Sequence, residues 1–167
     1  MMDINWLAIA VAALVPTFLG GLWYGPLLFE KAWMKASGVT EDMMKSGNMF
    51  LIMGLSVVLS FLLAFTLQYS VIHQFHLFSM VANEPGFMDP TTPVGMDVAG
   101  FMEKYGSNFR TFKHGALHGG IVGLLLVGPI LTIIALFERK NVRYILLNVA
   151  YWLIALTIMG GIICAWQ

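Results

Sequence analysis

The chain has 167 residues, of which 59% are hydrophobic and only 11% charged, against about 25% charged in an average soluble domain; that deficit excludes an ordinary water-soluble fold. Nine basic and nine acidic residues cancel, so no charge imbalance points to nucleic acid, and none is expected as a partner. Cys164 is the only cysteine, which excludes an intramolecular disulfide.

Four long stretches carry no charged residue: Ile4 to Phe29, Gly47 to Asn83, His114 to Phe137 and Tyr144 to Gln167. Crossing a bilayer takes about 20 apolar residues in a helix. The chain is therefore expected to be an all-α membrane protein, a single four-helix transmembrane domain over 1–167. Its spans should cover about 4–26, 49–72, 112–137 and 144–166, and its principal partner is the lipid bilayer.

The first span starts at Asp3 and Asn5, whose side chains suit exposed helix N–H groups. Pro16 should kink it, and the carbonyl freed by the kink needs a partner that lipid does not offer. Trp23 and Tyr24 fit an interfacial belt, and Gly25-Pro26 fits a break. The N-terminus lacks a basic region and its apolar stretch exceeds that of a signal peptide, so the first span is expected to stay in the mature protein.

Apolar Phe29, Trp33 and Met34 interleaved with Glu30, Lys31 and Lys35 predict a short interfacial helix, stopped at Gly38. Thr40-Glu41-Asp42 reads as a cap leading into another short turn. The second span follows, with Ser56, Ser60 and Thr66 facing backbone carbonyls or a neighbouring helix.

Residues 73–111 form the one sizeable extramembrane segment. Pro85, Gly86, Pro90, Pro93 and Gly95 make its first half irregular, and Val98 to Tyr105 can form an amphipathic turn or two. Phe78, Met80, Phe87, Met88, Phe101, Met102 and Phe109 argue for order, because exposed apolar side chains forgo burial energy. The loop is expected to be ordered and to fold over the mouth of the bundle, partly burying His114 and His118.

Only Glu138 to Arg143 separates the third and fourth spans, which are therefore antiparallel neighbours. The loops 30–47 and 138–143 share one side and hold Lys31, Lys35, Lys45, Arg139, Lys140 and Arg143. The other side holds Lys104, Arg110 and Lys113. This bias favours cytoplasmic short loops, with both termini and the long loop outside.

Ile4-Asn5-Trp6-Leu7-Ala8, Gly21-Leu22-Trp23-Tyr24-Gly25-Pro26, Phe29-Glu30-Lys31-Ala32-Trp33 and Asn148-Val149-Ala150-Tyr151-Trp152-Leu153-Ile154 together resemble a small bacterial membrane family, domain of unknown function 1761. The long loop and Phe109-Arg110-Thr111-Phe112-Lys113-His114-Gly115 are similar to the version found in Bacteroidetes. The resemblance covers nearly the whole chain. It implies a four-helix protein of the bacterial inner membrane and carries no activity with it.

All four histidines fall on one side of the membrane. His73 and His76 leave the second span; His114 and His118, spaced i, i+4, share one face at the start of the third. If the two spans are adjacent, the pairs converge into a metal or haem site, with Glu84, Asp89, Asp97 or Glu103 able to complete the shell. Met80, Met88, Met96 and Met102 invite a Cu(I) version. The blander alternative is that interfacial histidines cap helix ends and hydrogen-bond the loop.

Gly115, Gly119 and Gly123 form a small-residue stripe, suited either to an oligomer interface or to packing within the chain. Asn148 and Tyr151 face one way and should fasten the fourth span to a neighbour. Gly128-Pro129 should bend the third span. No charge lies within any span, and no catalytic signature such as Gly-x-Ser-x-Gly or His-Glu-x-x-His occurs.

Three functions remain open. The first is a non-enzymatic oligomeric or complex-associated membrane subunit. The second is binding or transport of a metal, haem or small apolar ligand through the histidine rim. The third is a membrane enzyme on a lipid-phase substrate, with His114 or His118 as general base.

Overall fold

Each spanning helix begins on a side chain that caps it. The computed structural model describes residues 4–167, and Asp3, expected at the start of the first helix, lies outside the described residues. Asn5 accepts from the Ala8 amide ahead of α1 (Trp6–Trp23), and Asn48 accepts from Leu51 ahead of α4 (Met49–Val71). Thr111 accepts from His114 ahead of α7 (Phe112–Val122), and Asn141 accepts from Tyr144 ahead of α9 (Val142–Ala165). These caps satisfy N–H groups that a helix start leaves orphaned.

Between α1 and α4 lie α2 (Glu30–Ser37) and α3 (Glu41–Ser46). Gly38 ends α2 at φ 84°, a left-handed conformation that glycine adopts without a Cβ penalty. Lys140 donates from Nζ to the Ser37 carbonyl at 3.0 Å, and Trp23 donates from Nε1 to the Leu147 carbonyl at 3.1 Å. The short loops thus meet at one end of the bundle, as the topology requires.

The third span runs continuously over Phe112–Phe137, through α7, a π-helical turn at Gly123–Val127, and α8 (Gly128–Phe137). Pro129 has no N–H to give, and its ring crowds the carbonyl of the preceding turn. The wider turn directly before it lets the Gly128 N–H reach the Gly123 carbonyl instead, so the expected distortion takes the form of a π-bulge.

Helix α9 is the hub, packed against α1, α4, α7 and α8. Ile9, Ala12 and Ala13 from α1, Ala64, Leu67 and Val71 from α4, and Leu156, Met159 and Ile163 from α9 form the buried core. The outer faces are apolar and uncovered: Phe18, Phe50, Leu62 and Leu125 are all more than half exposed. In water such faces would be costly; four helices long and apolar enough to span give them a bilayer to face.

The long loop folds into two helices, α5 (Gln74–Val81) and α6 (Pro93–Tyr105), which pack on each other. This is more regular than the expected irregular first half. Gln74, 6% exposed, ties the loop together by donating to the Tyr105 and Asn108 carbonyls. The expected cover over the bundle is incomplete: Met80, Met88, Met96, Phe101 and Phe109 remain exposed. The headgroup region of a bilayer is the other apolar partner open to helices of this kind.

A three-histidine candidate site

The glycines of α7 decide where its histidines go. A Cβ at Gly115 would overlap the Gly160 carbonyl and Cys164 on α9, and one at Gly119 would overlap the Leu156 carbonyl. A Cβ at Gly123 would come within 2.9 Å of the Leu153 Cα. The small-residue stripe is therefore used within the chain, where it holds α7 directly on α9. That contact leaves the stripe no free face for a second copy, so it lends no support to the oligomer reading.

Adjacent to the stripe, His114 and His118 stand on consecutive turns of α7 and are half-buried. His73 reaches them from the break between α4 and α5, where Ile72 turns extended at φ −113°, ψ 98°. The His73 and His114 Nε2 atoms are 2.8 Å apart. The His118 ring lies 4.7 Å from His73 and 4.5 Å from His114, centroid to centroid. One ring nitrogen from each of the three imidazoles lies within 4.8 Å of the other two.

His76 stands apart. Its ring centroid is 6.4 Å from that of His73, and its Nδ1 sits 3.3 Å from the carbonyl of His73. The structure thus brings together three of the four histidines named from the sequence. No loop carboxylate joins them among the described residues; Asp89 is engaged locally by Thr91.

Several groups brace this corner. The Cys164 Sγ lies 3.2 Å from the Val71 carbonyl and 3.3 Å from the Phe109 carbonyl, so its one S–H can donate to either or be shared between them, linking α4, α9 and the lead into α7. Arg110 donates from Nε to the Cys164 carbonyl at 2.9 Å and from a guanidinium nitrogen to the Trp166 carbonyl at 3.2 Å. Phe109 is held at φ 63°, a conformation that costs a bulky residue about 1–3 kcal/mol, and its ring stacks on His114 at 5.0 Å. Nothing in the sequence signals that backbone conformation or the Arg110 clamp, since both depend on the C-terminal end of α9.

Although His73 is exposed, partial desolvation by its neighbours lowers its imidazole pKa from the ordinary value, and the nearby His118 and His76 add repulsion in the same direction. A neutral imidazole is the form that can ligate a metal. Beside the trio opens a cavity of about 560 Å³ walled by His73, His114, Phe109, Met80, Phe101 and Tyr105.

A family model described as a protein of unknown function (DUF1761) matches residues 7–164. The chain belongs to the DUF1761 family. No curated protein and no solved structure matches it. Family membership therefore supplies an identity without a chemistry, and for this DUF1761 protein the chemistry must be argued from the site itself. Asn148 and Tyr151 act in packing here: Tyr24 donates to Asn148 Oδ1 at 2.9 Å, and Tyr151 donates to the Pro16 carbonyl at 2.7 Å.

Proposed function

We propose that this multi-pass membrane protein binds a divalent transition metal ion of the zinc class through His73, His114 and His118, at the bundle rim beside the long loop. The observation that carries the reading is the mutual approach of three imidazole nitrogens within 4.8 Å, drawn from two elements 41 residues apart. Three imidazoles with a fourth position left open are a recurrent zinc ligand set, with bonds of about 2.0–2.1 Å. At 2.8 Å the His73–His114 pair is spaced for a shared proton; a tetrahedral ion with bonds of that length would spread the nitrogens to about 3.3 Å, a small adjustment for rings at a rim.

The close approach favours a single ion over haem, because no flat slot separates the rings. It favours a binding protein over an enzyme, because no carboxylate stands in the group to serve as general base. Two of the three imidazoles, His73 and His114, wall the adjoining cavity, so the fourth ligand would be water or a small molecule admitted there. Localisation belongs to the same proposal. The Lys and Arg distribution and the family resemblance support a bacterial cytoplasmic membrane with termini, long loop and metal site outside.

Cobalt(II) tests this directly, since its visible absorption reports coordination geometry. Purified protein titrated with Co²⁺ should develop tetrahedral bands that zinc then abolishes. A colourless titration, with no zinc-dependent rise in Tm, would overturn the proposal.

A further inference from the structure

At the other end of the bundle, a cavity of about 790 Å³ lies between α1, α4 and α9 under α2 and α3. No Asp, Glu, Lys or Arg lines it, so it offers nothing to a charged headgroup. Among its hydroxyl groups, two are both buried and uncommitted in hydrogen bonds. Thr17 on α1 has its Oγ1 buried without a hydrogen-bond partner. Ser60 on α4, 4% exposed, has no hydrogen bond among the described residues, unlike Thr66 and Thr157, which bond to the carbonyl a turn back.

A buried hydroxyl without a partner, as at Thr17 Oγ1, is costly, and more so where no water can reach it. The tyrosine hydroxyls on this wall are already committed, Tyr24 to Asn148 and Tyr151 to Pro16, while Ser56, which also lines it, is exposed and sits one turn nearer the start of α4. Thr17 and Ser60 are thus the more deeply placed of the uncommitted donors on α1 and α4. Along the same wall run four aromatic rings in contact: Trp33 with Tyr24 at 5.4 Å, Tyr24 with Tyr151 at 5.0 Å, and Tyr151 with Trp152 at 5.2 Å. Aromatic walls of this kind favour flat conjugated rings over saturated chains.

Depth narrows the class further. Thr17 lies six residues before the end of α1 and Ser60 eleven residues into α4, about 9 and 16 Å from the helix ends. The ester and phosphate groups of phospholipids stay at the interface, outside the hydrocarbon core. We infer that the cavity binds a lipid-phase quinone, a neutral flat ring whose carbonyl oxygens accept from Thr17 and Ser60. The volume is within the range of small-molecule sites, about 300–1,000 Å³. The inference stands apart from the histidine trio, at the opposite end of the bundle.

Quenching of tryptophan fluorescence reads the site, because Trp33 and Trp152 line it. The probe is a benzoquinone with a ten-carbon tail, added to the full chain in nanodiscs. Quenching should saturate at one quinone per chain. Thr17→Val with Ser60→Ala should weaken binding about tenfold, while Thr17→Ser, which keeps the hydroxyl, should bind as the parent does. Non-saturable quenching of the parent chain would overturn the inference, and so would equal affinity in the double variant. Competition by a saturated ten-carbon ester as effective as that by the quinone would also overturn it, marking the cavity as a plain acyl-chain groove.

Discussion

His73 Nε2 and His114 Nε2 lie 2.8 Å apart although 41 residues separate them in the chain. The distance is set by two independent pieces of packing. The core of α4 against α1 and α9 fixes where Val71 and the following break emerge. The glycine-lined contact of α7 on α9 fixes where His114 points. Two like imidazoles held this close must share a proton or share a ligand, since both cannot carry charge at that separation without strong repulsion.

The α7–α9 contact can be tested at Gly119. A Cβ there would overlap the Leu156 carbonyl, backbone that cannot yield without moving the helix. Gly119→Ala should destabilise the protein by roughly 1–3 kcal/mol, the range for overpacking. Gly100→Ala in α6 meets nothing within 4 Å and should be neutral or stabilising by up to about 1 kcal/mol. Thermal unfolding in one detergent compares the two, and equal Tm changes would contradict the packing.

Tyr151 fastens α9 to α1 through the Pro16 carbonyl at 2.7 Å. Tyr151→Phe removes only the hydroxyl and with it the bond that ties the two helices at this carbonyl. The expected loss is about 0.5–1.5 kcal/mol, read as a lower Tm. An unchanged Tm would show that the carbonyl finds another partner.

Asp89 should report on the loop. Its carboxylate accepts from the Thr91 hydroxyl at 2.7 Å and the Thr91 amide at 2.9 Å, and these bonds hold its pKa below the ordinary value of 3.8. A depressed carboxylate pKa means that the turn is fully supported above pH 3.8 and loses that support as pH falls through the lower folded value. Following the Asp89 side chain by NMR should show titration below 3.8, with faster Thr91 amide exchange in Asp89→Ala. Titration at or above 3.8 would show the turn to be unformed.

The four apolar helices, the short helix α2 and its stop at Gly38 were legible because they rest on local facts: charge-free length, charge interleaving and a glycine able to take positive φ. Helix α5 was not, because the break before it occurs at Ile72 and His73, without glycine or proline to mark it. The π-turn was legible only as a bend at Gly128-Pro129, since accommodating a proline by a wider turn depends on the packing around it. Within the candidate site, the i, i+4 pair of His114 and His118 followed from helical geometry. The meeting with His73 required α4 and α7 to be neighbours. The separation of His76 follows from the turn into α5, which sets its ring over the His73 carbonyl. Thr17 gave no signal of its own, and Ser60 was legible only as a hydroxyl facing a backbone carbonyl or a neighbouring helix, because hydroxyls in a span usually bond to their own helix.

Elemental analysis of the protein and two histidine variants, each loaded with zinc and washed free of loose ions, tests the central claim most directly. The account predicts about one zinc per chain in the parent protein and in His76→Ala, and its loss in His73→Ala. Zinc retained equally by His73→Ala, or absent from the parent protein after loading, would contradict a metal site built from His73, His114 and His118.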